Sequence, residues 1–170
     1  MDWVSDPIDK AYYMLYGWIW NNEDGDPTKL RYHIATNHYA FVYLLSKCFH
    51  CINVDHEIKI GYKCHPPYDD DDELSRDYHM WVQIGNKKYD TPCALADDIN
   101  KEFFLEEEDI SNILSEGDED DRDMLQMYKL IKQKKYDDCL NYMNKNNYYN
   151  MEQINKLWKE LITEVIDFKK

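Results

Sequence analysis

The stretch whose reading decides the fold is His79-Met80-Trp81-Val82-Gln83-Ile84-Gly85-Asn86-Lys87-Lys88-Tyr89-Asp90-Thr91-Pro92. Tyr78 to Ile84 reads as one strand and Lys87 to Thr91 as a second. Gly85-Asn86 between them is a two-residue hairpin signal, and Pro92 ends the second strand because it cannot donate to a ladder. Counting out from the turn, Ile84 faces Lys87, Val82 faces Tyr89 and Trp81 faces Asp90. His79 is then diagonal to Asp90, and His79, Trp81 and Asp90 share one face of the hairpin. A carboxylate beside an imidazole fixes its tautomer and raises its basicity, so the pair supplies two thirds of a thiol-protease-like triad. With no chemistry at all, the same segment makes a hairpin packed on Trp81, Val82, Ile84 and Tyr89, with an exposed His79–Asp90 ion pair.

Upstream of the hairpin, Glu57 to Lys63 alternates as a further strand, with Ile58, Ile60 and Tyr62 on one side. Before it the period is helical. Asp6-Pro7 is a cap followed by a first-turn proline, and Ile8, Tyr12, Leu15 and Ile19 follow at helical spacing. Asp26-Pro27 repeats that signal for a short second helix. Asn37 is the expected cap of a third, running to about Cys48 with Phe41, Leu44, Leu45 and Cys48 on one face. After Asp97 the chain reads as helical throughout, over about 106–115, 121–144 with a break near Lys135, and 151–167. Met124, Leu125, Tyr128 and Ile131 form a core stripe, the C-terminal tyrosines read as core and rim, and Lys132, Lys134 and Lys135 read as a solvated basic face. Helices, then about three antiparallel strands, then helices make an α+β plan. The expectation is one domain over 1–170, with a core over 1–95 and a helical extension over 96–170.

The 170 residues are 44% hydrophobic and 15% aromatic, enough apolar surface to offset the entropy of folding. Net charge is −14, which excludes general nucleic-acid binding. Residues 69–123 carry 20 acidic and 5 basic side chains, so this one stretch holds the whole imbalance. It contains Asp69 to Glu73, Glu106 to Asp109 and Asp118 to Asp121, which read as solvated loops or as a surface for a basic partner. An EF-hand from Asp118 is rejected, because Asp123 stands where Gly is needed and Lys129 where Glu is needed. No apolar run is long enough to span a membrane, and MDWVSDP has neither the basic nor the apolar region of a signal peptide. An intracellular location follows as the expectation, with free thiols among the five cysteines.

HMWVQIGNKKYDTP resembles the His–Asp hairpin of the transglutaminase-like fold, a branch of the papain-like cysteine-enzyme superfamily. That family shows His-x-Trp-Val-x-apolar, a tight turn, an aromatic and then Asp. It also places its nucleophilic Cys at the start of a helix preceding the strands. Asn37-His38-Tyr39-Ala40-Phe41-Val42-Tyr43-Leu44-Leu45 and Ile58-Lys59-Ile60-Gly61-Tyr62 are similar to the family's surroundings, over roughly residues 27–95. His38 stands where the resemblance places the nucleophile. An imidazole does not replace a thiolate in ordinary acyl transfer. The resemblance therefore implies a degenerate enzyme that binds a peptide or protein, basic in character, in a cleft between His38 and the hairpin bordered by Asp69–Glu73. No cofactor is implied, and neither nucleic acid nor membrane is an expected partner.

The cysteines keep a second reading open. Cys93, three residues past Asp90, or Cys64 at the end of a strand, would serve as nucleophile of an amidase, peptidase or acyl transferase with His79 as base and Asp90 as its orienter. Cys48 and Cys51 lie deep in their helix, with Cys48 about 15 Å from its expected start. Cys48-Phe49-His50-Cys51 is also a CxxC that could join Cys64 at zinc. No Gly or Pro shapes a knuckle there, and Cys64 and His65 would point opposite ways in a strand, so no metal is expected. A third reading is an acidic interaction protein without a cleft.

Overall fold

The computed structural model describes residues 6–22, 27–65, 75–90, 104–107, 110–116, 119–146 and 151–169. Helix α1 spans Pro7–Asn22, and its first turn is capped as expected: the Asp9 amide donates to Asp6 Oδ1 at 2.9 Å. Helix α2 spans Pro27–Cys51 without interruption. The expected short helix and the Asn37 cap are thus replaced by one continuous helix. No Gly or Pro interrupts Thr28 to Cys51, so nothing in the backbone forces a break, and the capping preference of Asn37 is too weak to impose one. From Tyr39 to Phe49 this helix is buried at every position except the half-covered Lys47. A helix apolar on all sides is one enclosed by the rest of the molecule.

Helices α2 and α4 end in the same way. Asn53 has φ 59°, its amide donates to the His50 carbonyl, and Val54 donates to the Phe49 carbonyl at 2.8 Å. Lys134 has φ 61°, with matching bonds from Lys134 to Ile131 and from Lys135 to Leu130. Both are Schellman closures with a side chain at the left-handed position where glycine is usual.

Strands β1 (Glu57–His65), β2 (Ser75–Ile84), β3 (Lys87–Tyr89) and β4 (Phe104–Glu107) form one antiparallel sheet in the order β3-β2-β1-β4. The hairpin register is the expected one, with Ile84 opposite Lys87 and Val82 opposite Tyr89. Gly85 supplies the positive φ of 58° at the first central position of the turn, where a type II′ hairpin takes glycine. Strand β4 corrects the all-helical reading of the chain beyond Asp97. Four residues carry too little period to be recognised, and what recruits them is the open side of β1, where Gly61 pairs Glu107 and Cys64 pairs Phe104.

Four helices follow: α3 (Ile110–Glu116), α4 (Glu119–Lys132), α5 (Tyr136–Lys145) and α6 (Met151–Lys169). The expected break near Lys135 is present between α4 and α5. Ile58, Ile60, Met80, Val82 and Tyr89 on one sheet face share a single buried cluster with α2 and with Met124, Leu125, Tyr128 and Ile131 of α4. Residues from both the 1–95 and 96–170 portions therefore build the same core. Tyr89 contacts Phe49 of α2 at a 5.9 Å ring separation, which places α2 on the Tyr89 face of the sheet. Among the described residues no helix is long and apolar enough to cross a membrane.

Candidate functional site

Strand alternation assigns His79 and Trp81 to the face opposite Met80 and Val82. Trp81 has no exposed surface, yet it lies outside the apolar cluster that holds Met80 and Val82. Its indole N–H donates to Gln83 Oε1 at 3.1 Å, Gln83 donates to the Gly85 carbonyl, and the Lys88 ammonium stands 5.8 Å from the ring. Gln83 and Lys88 are its neighbours on that face, as the register requires.

On the same face His79 Nε2 and Asp90 Oδ1 are 2.5 Å apart. Side-chain exposure is 4% for His79 and 16% for Asp90. The expected pair is therefore formed, and the expectation of an exposed ion pair is corrected. The residue opposite His79 on β1 is Gly61, so β1 places no side chain against the imidazole at that rung. With Nε2 facing the carboxylate, Nδ1 is the ring nitrogen turned away from Asp90.

A residue that the sequence marks only as one of a helical series completes the closure. Tyr12 of α1 donates its hydroxyl to the Asp90 carbonyl at 3.1 Å. Its ring packs edge-on against Phe41 and Tyr89. Burial, then the nearby Asp90 charge, pushes the Tyr12 hydroxyl well above the ordinary phenol value, so it stays a donor. Lys87 meets Asp9 of the same helix at 3.3 Å. Helix α1 thus holds the second hairpin strand at both ends, Lys87 beside the turn and Asp90 at the open end.

The other expected site residues are distributed as follows. His38 lies within α2, well inside the helix rather than at its start, and its side chain is outside the described residues. Cys93 and the acidic run Asp69–Glu73 also fall outside them. Cys64 is in β1, paired with Arg76 and Phe104 along the backbone, with its side chain not described. Cys48 is buried and Cys51 exposed, so the CxxC pair is divided between interior and surface. Burial, then Cys51, pushes the Cys48 thiol up to about 12, and burial alone does the same to Cys139. Both are thiols, not thiolates, at neutral pH. No group of three His, Cys, Asp or Glu side chains converges on a metal position among the described residues.

A second polar cluster has no counterpart in the sequence reading. His56 Nδ1 lies 2.9 Å from the Val54 carbonyl, which can only accept, so Nδ1 carries the proton. Nε2 then accepts from Ser46 Oγ at 2.7 Å. The Tyr136 hydroxyl reaches both Ser46 oxygens, Oγ at 2.9 Å and the carbonyl at 3.2 Å. This is the hydrogen-bond order of an activated serine, but Ser46 is 0% exposed, so no substrate reaches its Oγ. The cluster ties the C-terminal part of α2 to the turn before β1 and to the start of α5. Compared with protein-family models, curated proteins and solved structures, the chain matches none of them.

Proposed function

We propose that this protein is a transglutaminase-like domain that works by binding a peptide or protein segment, basic in character, and that its His–Asp pair persists as structure rather than as catalytic machinery. The observation that carries this reading is the sealed state of the pair: the imidazole and carboxylate meet at 2.5 Å with almost no exposure of the imidazole. A catalytic base has to meet both a nucleophile and a substrate. The continuity of α2 through His38 departs from the resemblance, which calls for a helix that starts at the nucleophile, and it bears only on the loss of catalysis: no helix start is present at residue 38 to favour a thiolate. The acidic stretch over 69–123 supplies the charge to attract a basic segment.

The test is the alkylation rate of each of the five cysteines in the native protein near pH 7, resolved by mass spectrometry, for the wild type and for His79→Ala. Slow, unexceptional rates that His79→Ala leaves unchanged are expected. One cysteine reacting far faster than the rest, with the difference abolished by His79→Ala, would overturn the reading in favour of a thiol enzyme; Cys93 is the residue to watch.

A further inference from the structure

A cavity of about 490 Å³ opens beside the start of β1, between that strand and the facing ends of α3, α4 and α5. This lies within the range of small-molecule sites. Polar and apolar groups share its lining about equally, and the apolar part comes from Ile58 and Ile60 of β1, Ile110 of α3, and Ile131 with the Tyr128 ring of α4. The polar groups at its inner end are already satisfied. Both nitrogens of His56 are engaged, by Val54 and Ser46, and the Tyr136 hydroxyl is engaged by Ser46. These residues therefore line the cavity with ring surface and offer it little hydrogen bonding.

The mouth is different. Lys59, Lys132 and Lys134 line it against the single carboxylate of Glu57, which pairs with Lys59 at 3.2 Å. Lys132 donates to the Tyr128 hydroxyl at 3.2 Å and stands over that ring. Among the described residues neither Lys132 nor Lys134 has a carboxylate partner. In a chain of net charge −14, two lysines without acidic partners among the described residues, at the rim of a partly apolar cavity, are a local reversal of sign. Lys134 is also held in left-handed backbone geometry, φ 61°, where glycine would cost less.

We propose that this cavity is a binding site for a small organic anion with an apolar body. The body lies against the isoleucines and Tyr128, and the anionic head group meets Lys132 and Lys134 at the mouth. Because the interior offers little hydrogen bonding, charge and apolar area set the affinity, and a carboxylate or a phosphate on the same body satisfies the site.

The probes are 2-naphthoate, 2-naphthyl phosphate, neutral 2-naphthol and inorganic phosphate, titrated into the full chain and followed by amide and methyl NMR shifts. The variant is Lys132→Gln with Lys134→Gly, which removes both charges at exposed positions and places at 134 the residue that its left-handed backbone favours. Either naphthyl anion is expected to shift Ile58, Ile60 and Ile131, with affinity falling about tenfold or more in the double variant. 2-Naphthol is expected to bind the wild type at least about tenfold more weakly than the anions. Binding of the anions that the double variant leaves unchanged would overturn the proposal, as would naphthol binding as tightly as naphthoate. Inorganic phosphate binding as tightly as naphthyl phosphate would overturn the role of the apolar walls. Shifts absent with every probe at millimolar concentration would overturn the site itself.

Discussion

Tyr12 and Asp90, separated by 78 positions in the chain, are joined by a hydrogen bond from the Tyr12 hydroxyl to the Asp90 carbonyl. Asp90 is thereby held on two sides, its carboxylate by His79 and its backbone by α1. Removing only the hydroxyl isolates the second contact. Tyr12→Phe keeps the ring packing against Phe41 and Tyr89 and is expected to cost about 0.5–1.5 kcal/mol, the net worth of one such bond. Urea unfolding would show a lower midpoint at unchanged slope. An unchanged midpoint would mean that the hairpin end is held without α1.

The His79–Asp90 pair carries a larger expected cost. Asp90→Asn keeps the shape and removes the charge that the imidazole faces, in a site with little solvent. A loss of about 1–3 kcal/mol is expected. For a chain of this size that lowers Tm by roughly 2–4 °C per kcal/mol. On the proposed reading, in which the pair serves the fold, the alkylation rates of the cysteines should stay as in the wild type. A thermally neutral variant with altered thiol reactivity would contradict this.

His56 gives the protein an acid-sensitive joint. Burial, assisted by the positive charge of Lys134, holds its pKa below the ordinary imidazole value. Its neutral form accepts the Ser46 proton, and protonation would remove that acceptor. In the unfolded chain His56 takes up a proton as pH falls through about 6.5, whereas in the folded chain it does so only at lower pH. The unfolded state then binds more protons, so stability drops as pH falls below about 6.5 and levels off beneath the folded value. Denaturant titrations from pH 8 to pH 5 should show a slope that His56→Gln reduces. Ser46→Ala, which strands His56 Nε2, should cost about 1–3 kcal/mol at pH 8.

Two left-handed positions should respond to opposite substitutions in opposite directions. Lys134→Gly relieves a backbone penalty at the Schellman position of α4 and is expected to stabilise by about 0.5–1 kcal/mol. Gly85→Ala imposes that penalty on the hairpin turn and is expected to destabilise by about 1–2 kcal/mol. A Cβ at residue 85 meets nothing within 4 Å, so the cost there is conformational and not steric crowding by neighbours. Differential scanning calorimetry of the two variants reads both signs; a common sign would show that left-handed strain does not govern them.

Association with a basic segment should be electrostatic at long range. A Lys/Arg-rich peptide is expected to bind more weakly as salt is raised from 0.05 M to 0.5 M, because exposed charges are screened within about 10 Å at 0.1 M. Fluorescence anisotropy of a labelled peptide measures this. Binding indifferent to salt would remove the acidic stretch from the recognition surface.

The hairpin, the stripe of α4, the break before α5 and the Asp6 cap were legible along the chain because each is a local pattern. Period, turn chemistry and capping act over at most a few residues, so 79–90 alone determined a two-residue turn, the pairing of Val82 with Tyr89 and the shared face of His79 and Asp90. Three features depended on parts of the chain distant in sequence. Strand β4 has no period of its own and exists because β1 presents an open side to Phe104–Glu107. Helix α2 passes through Asn37 without stopping, and it is enclosed from Tyr39 to Phe49 by elements distant in sequence. Ser46, His56 and Tyr136, spread over 90 positions, form a cluster only where α2, the turn before β1 and α5 converge. Burial has the same origin: the sequence placed a carboxylate beside an imidazole, and tertiary packing decided that the pair would be sealed from solvent. Local backbone preference is written in neighbouring residues, whereas the removal of a group from water depends on everything that comes to lie against it.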